Sequence, residues 1–144
     1  MRKRKGISLV NADGVFNGKS EGCELDMVKI RAELGEQARA IGLLRDTLFD
    51  FFDDRGEIAE FEKGLLGVLV SLKNSLEYAS DSPELKDLHH DMLEQAFALA
   101  FVRTAFLGEF GGGRLDETIE GVIGALGSLM YSLRHTAHRL DALA

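Results

Sequence analysis

The residues best equipped for chemistry are Asp87, His90 and Glu94, the pair His135 and His138, and Cys23, the single cysteine of the chain. Helical bundles often hold metals with Glu-x-x-His pairs that project inward from facing helices. No Glu-x-x-His occurs in these 144 residues. At about 100° per residue, Asp87, His90 and Glu94 fall almost opposite the apolar stripe Leu85, Leu88, Met92 and Ala96, so they are expected to face water. Cys23 stands in a glycine-rich stretch without a His or Asp to orient it, and a phosphate loop of the Walker type is absent. Gly111-Gly112-Gly113-Arg114 ahead of a helix offers amides to an anion, but a glycine triplet between helices reads more simply as a linker. No catalytic residue, metal or cofactor is expected.

Ala137-His138-Arg139-Leu140 resembles the exposed-histidine motif of histidine phosphotransfer domains, which are themselves four-helix bundles. The likeness covers four residues. Where that family usually continues with a Lys-Gly pair and further helices, Asp141 and Ala142 follow here, and a carboxylate at that place repels a phosphorylated histidine. The resemblance implies, as one alternative, a signalling protein with His138 as phosphoacceptor. The plain reading of Arg134, His135, His138 and Arg139 is a basic helix end that complements the C-terminal dipole.

Charge divides the chain. Of the formal net charge of −7, Arg2, Lys3, Arg4 and Lys5 contribute +4, so the remainder carries −11. An acidic body repels nucleic acid, and any contact with phosphates is expected through Arg2–Lys5 alone, giving a second alternative of a DNA-associated regulator. The carboxylates from Asp46 to Glu62 read as a solvated junction between helices. A lone cysteine permits no internal disulfide and fits a reducing, cytoplasmic setting. The longest uncharged apolar run, residues 121–133, falls well short of the roughly 20 residues a bilayer requires, so no membrane association is expected.

The elements that carry these residues follow from periodicity. Met27, Ile30, Leu34, Gln37, Ile41, Leu44, Leu48 and Phe51 keep a 3-4 spacing with Gln37 the only polar member, the seam of a helix over about 24–54. Asp54 with Glu57 has the form of a capping box opening a helix over 57–79. Its middle, with Leu66 and Val70 beside the stripe, predicts the most deeply buried helix. Ser82 and Pro83 read as N-cap and first residue of a helix over 83–108, whose C-terminal half carries Phe97, Phe101 and Phe106. A helix over 115–143 presents a second seam, Ile119, Val122, Leu126, Leu129, Leu133, Thr136 and Leu140. Beside it, Gly121, Gly124, Ala125 and Ser128 suggest a close approach by another helix, since glycine within a helix costs up to about 1 kcal/mol against alanine.

The expected fold is all-α, an antiparallel up-down-up-down four-helix bundle over residues 24–144. Residues 1–23 are expected to form a flexible basic, glycine-rich arm, with Ile7–Val10 and Val15-Phe16 able to pair as a small hairpin. The expected function is that of a non-enzymatic regulatory or interaction protein. Its seams would serve as core or as interface, and its partner would be a second copy, in a homo-oligomer, or another helical protein.

Overall fold

The computed structural model describes the backbone of residues 15–111 and 117–143, with side chains from residue 25 onward except residue 86. The described residues form four long helices and no strand: α1 (Val15–Asp54), α2 (Glu60–Asp81), α3 (His89–Phe110) and α4 (Glu117–Leu143), with a short 3-10 turn over Leu85–Leu88. Residues 15–33 group in one unit and those from Leu34 in a second, and each includes part of α1. The bundle described below is the second unit.

Helix α1 starts nine residues before the expected boundary, so Val15 and Phe16 are helical and not part of a hairpin. Extending an existing helix adds a hydrogen bond per residue without a new nucleus, which lets it run through Gly18 and Gly22 despite their poor propensity. Ile7–Val10 and Arg2–Lys5 lie outside the described residues. The capping box also differs. The first turn of α2 is opened by Ala59, whose N–H donates to Glu62 Oε1 at 2.9 Å, so the box lies at 59–62 in place of the expected Asp54–Glu57 pair. Between the two helices Gly56 adopts φ of +120°, a conformation L side chains rarely take, and this ends α1 beyond Asp54.

Ser82 does cap, but locally: its Oγ accepts from the Glu84 N–H at 3.1 Å, and the chain passes through a turn and the 3-10 segment before α3 begins at His89. Pro83 therefore belongs to the connection and not to α3.

Neighbouring helices run antiparallel. Gly42 of α1 lies beside Lys73 of α2, while the far end of α1 leads to the Arg55–Glu62 ion pair at 3.6 Å. Arg103 Nε of α3 donates to the Ile123 carbonyl of α4 at 3.4 Å, and His89, earlier on α3, lies 3.6 Å from Asp141, later on α4. Both of these chain-consecutive pairs thus meet with reversed order, which short connections favour.

The two seams lie inside. In the second unit Leu34, Ile41, Leu44 and Leu48 are buried, as are Ile119, Val122, Leu126, Leu129, Leu133 and Leu140; Ile30, in the first unit, is buried too. Met27 and Phe51, at the ends of the α1 seam, are half-buried. At the bundle end Phe52 is buried in place of Phe51. A strict heptad drifts about 20° per repeat on a straight helix, and over the span from Met27 the accumulated rotation favours the next residue. Phe52 stacks on Phe110 with centroids 5.7 Å apart, Phe106 lies 4.8 Å from the same ring, and the Arg55 guanidinium covers Phe110 at 4.9 Å. Helix α2 is amphipathic and not buried all round: Leu65, Leu66, Leu69, Leu72 and Leu76 face inward, whereas Phe61 and Val70 are exposed.

The two polar exceptions in the seams meet each other. Gln37 of α1, 6% exposed, donates from Nε2 to Ser132 Oγ at 2.6 Å and to Thr136 Oγ1 at 3.3 Å on α4. Thr136 is wholly buried and donates its own proton to the Ser132 carbonyl at 3.0 Å. The layer meets the Gln37 Nε2 donor but leaves its buried Oε1 without a hydrogen-bond partner among the described residues.

Truncating Leu126 to alanine is expected to cost about 2–5 kcal/mol of unfolding free energy, measured by urea titration, because a fully buried leucine leaves a cavity. The double variant Ser132→Ala/Thr136→Val is expected to cost about 1–3 kcal/mol by stranding the Gln37 amide. Adding Gln37→Leu should recover most of that loss, and no recovery would count against the polar layer.

Candidate functional site

Asp87, His90 and Glu94 are all exposed, as their angular position requires, and so are His135 and His138 on α4. Among the described residues no group of three or more His, Cys, Asp or Glu side chains gathers as metal ligands would. His89, which the sequence did not single out, lies closer to other polar groups: its ring is 4.2 Å from that of His90 and its Nε2 is 3.6 Å from Asp141 Oδ1.

Gly18-Lys19-Ser20-Glu21-Gly22 carries the Gly-x-Ser-x-Gly spacing of a nucleophile elbow, a motif that sequence reasoning missed. An elbow needs a sharp strand-to-helix turn that exposes the serine. Here all five residues lie within the continuous helix α1, whose backbone provides no such turn.

A groove of about 600 Å³ runs between α2 and α3, bordered by Asn74, Ser75 and Tyr78 on one side and Asp91, Glu94 and Gln95 on the other. It offers hydroxyls, amides and carboxylates, and no histidine, cysteine or lysine lines it.

The glycines divide into two kinds. A Cβ at Gly42 would stand 3.1 Å from Lys73 Cε, and one at Gly127 would stand 3.5 Å from Arg103 Nε, so these two admit a neighbouring side chain. At Gly121 and Gly124 the same position has nothing within 4 Å among the described residues. Gly121, Gly124 and Ser128 are exposed and Ala125 is half-buried. The close approach expected along this strip is therefore not made by the described residues of one chain.

What the arrangement does present is an apolar outer surface on α3 and α4. Phe97 is 58% exposed, Phe101 70% and Tyr131 73%. The Arg103–Ile123 and His89–Asp141 contacts set the register, which places Phe97 and Phe101 about level with the stretch from Gly127 to Tyr131. Phe106, on the same helix, is fully buried, so α3 carries aromatic rings on both its inner and its outer face. The sequence places all three phenylalanines together on the C-terminal half of this helix, and only the packing separates Phe106 from Phe97 and Phe101.

Replacing Gly67 of α2 by alanine is expected to raise stability by up to about 1 kcal/mol in urea titration, since that position is helical, exposed and open. A loss of stability would show that a neighbour closes on it.

No helix among the described residues is long and apolar enough to cross a membrane. No protein-family model matches the chain, and neither the curated proteins nor the solved structures contain a significant match.

Proposed function

We propose that this chain is a non-enzymatic, regulatory interaction bundle of the cytoplasm that acts by self-association or by gripping a helical protein partner. The observation that carries the reading is the outer face of α3 and α4, where Phe97, Phe101 and Tyr131 stay in water although the inner stripes of the same helices are fully covered. Single exposed apolar residues are ordinary, but aromatic rings grouped on adjacent helices are the composition of a binding face. The lone cysteine supports a reducing setting, because it leaves no disulfide to form within the chain.

Leu44 and Leu129 are buried in the single chain, so truncating them tests folding and not assembly. Assembly is instead tested at Phe97 and Phe101.

Light scattering after size exclusion, over about a hundredfold range of concentration, samples roughly 3 kcal/mol of association free energy. The expected outcome is a concentration-dependent rise in mass that Phe97→Ser/Phe101→Ser abolishes while circular dichroism keeps its helical signal. A partner-binding protein of the same kind would remain monomeric alone and would lose affinity for a captured helical protein with the same double substitution. A double variant that alters neither mass nor partner affinity would overturn the reading.

A further inference from the structure

The exposed face of α4 has a second 3-4 stripe, back to back with the buried seam: Glu117, Gly121, Gly124, Ser128, Tyr131 and His135, continuing to His138, every one exposed. Its two ends differ in sign. Glu117 and Glu120 lie in the first turn, Arg134, His135 and His138 toward the other end, and the stretch between them from Gly121 to Met130 is uncharged. Over the roughly 32 Å from Glu117 to His138, at 1.5 Å per residue, the pattern is the complement of its own reverse.

We infer that α4 is a self-recognition helix whose occupant is α4 of a second copy, laid antiparallel about a two-fold axis near Gly127 and Ser128. The inference rests on the reading above and specifies its self-association branch.

In this pairing Arg134 and His135 of each protomer face Glu120 of its partner, and His138 faces Glu117. A parallel arrangement would instead set acidic end on acidic end and basic end on basic end, which like-charge repulsion disfavours. The uncharged centre fits the same geometry. Tyr131 comes opposite Gly124 of the partner, where no described residue of the same chain stands within 4 Å of the missing Cβ, so the ring has a hollow to enter. Phe97 and Phe101 of α3, level with this centre, then flank the partner helix and lose their exposure. A two-fold interface repeats each contact twice, so one complementary pair of ends yields two sets of ion pairs.

The test uses the full chain, with Cys23→Ser as background so that any disulfide must come from the introduced thiol. Ser128→Cys is expected to form a disulfide-linked dimer under mild oxidation, because position 128 sits at the axis. Glu117→Cys and His138→Cys are expected not to cross-link, because each lies at opposite ends of the two copies; a parallel pairing would link all three. In sedimentation or light scattering, Glu120→Arg alone and Arg134→Glu alone are each expected to raise the dimer Kd at least about tenfold, since each creates two like-charge contacts. The double exchange Glu120→Arg/Arg134→Glu should return the Kd to near its original value. The substituted positions on α4 are all exposed, so circular dichroism should keep the helical signal throughout.

A dimer that forms normally but fails to cross-link through Ser128→Cys, or that ignores both charge reversals, overturns this pairing and leaves self-association standing through another surface. A chain that stays monomeric at every concentration overturns the pairing and the self-association branch together, leaving only a heterologous helical partner.

Discussion

A single buried amide sets the terms on which α1 and α4 meet. Gln37 occupies an inward position in a seam otherwise built of leucine and isoleucine, and a primary amide taken out of water without partners costs more than an ordinary core contact returns. It finds Ser132 and Thr136 one helical turn apart on α4, so the two long helices have an axial register in which the amide donor is satisfied. Sliding α4 by a turn one way would set Thr136 and Leu140 under the amide and cost it a hydroxyl partner. Hydrophobic burial supplies most of the drive to fold, and it is nearly indifferent to register. The polar layer is the element that discriminates.

With that register set, the remaining packing follows in sequence. The short connections make chain neighbours antiparallel, the Phe52–Phe106–Phe110 cluster closes the end at which α1 gives way to α2, and Arg55 lays its cation over the outermost ring. What is left outside is then also determined. Helices α3 and α4 each carry more apolar side chains than one inward stripe can use, and the excess emerges on their outer surface as Phe97, Phe101 and Tyr131. The exposed aromatics and the polar layer are two results of the same docking, because the rotation of α4 that turns Thr136 to Gln37 turns Tyr131 to solvent.

The glycines of α4 illustrate how a correct physical premise can point to the wrong neighbour. Glycine in a helix is costly, and a helix that keeps several is expected to gain from close contact. Of the glycines of α4, Gly127 alone has such a contact among the described residues, to an arginine side chain, while Gly121 and Gly124 have nothing described within 4 Å. Helical periodicity tells which residues share a face. It carries no information about what lies beyond that face.

Much of the architecture was legible from the chain alone. The inward residues of α1 and α4, the solvent-facing Asp87, His90 and Glu94, and the all-helical class depend on angular spacing along one helix, and spacing is written in the sequence. Element boundaries were less legible: α1 runs back to Val15, α2 waits for Ala59 and Glu62, and α3 begins only after a 3-10 turn. Those limits are decided by competition among caps, turns and helix propagation, whose differences are each about 1 kcal/mol. The sequence by itself determined that there would be four long helices, which side of α1 and α4 would seek cover, and that Gln37 and Thr136 would be the polar exceptions. Only the tertiary structure decided that these two would meet, that Phe52 and not Phe51 would close the core, and that Phe97, Phe101 and Tyr131 would be left in water. Those outcomes depend on the relative rotation and register of helices far apart in the chain, quantities that no local pattern contains.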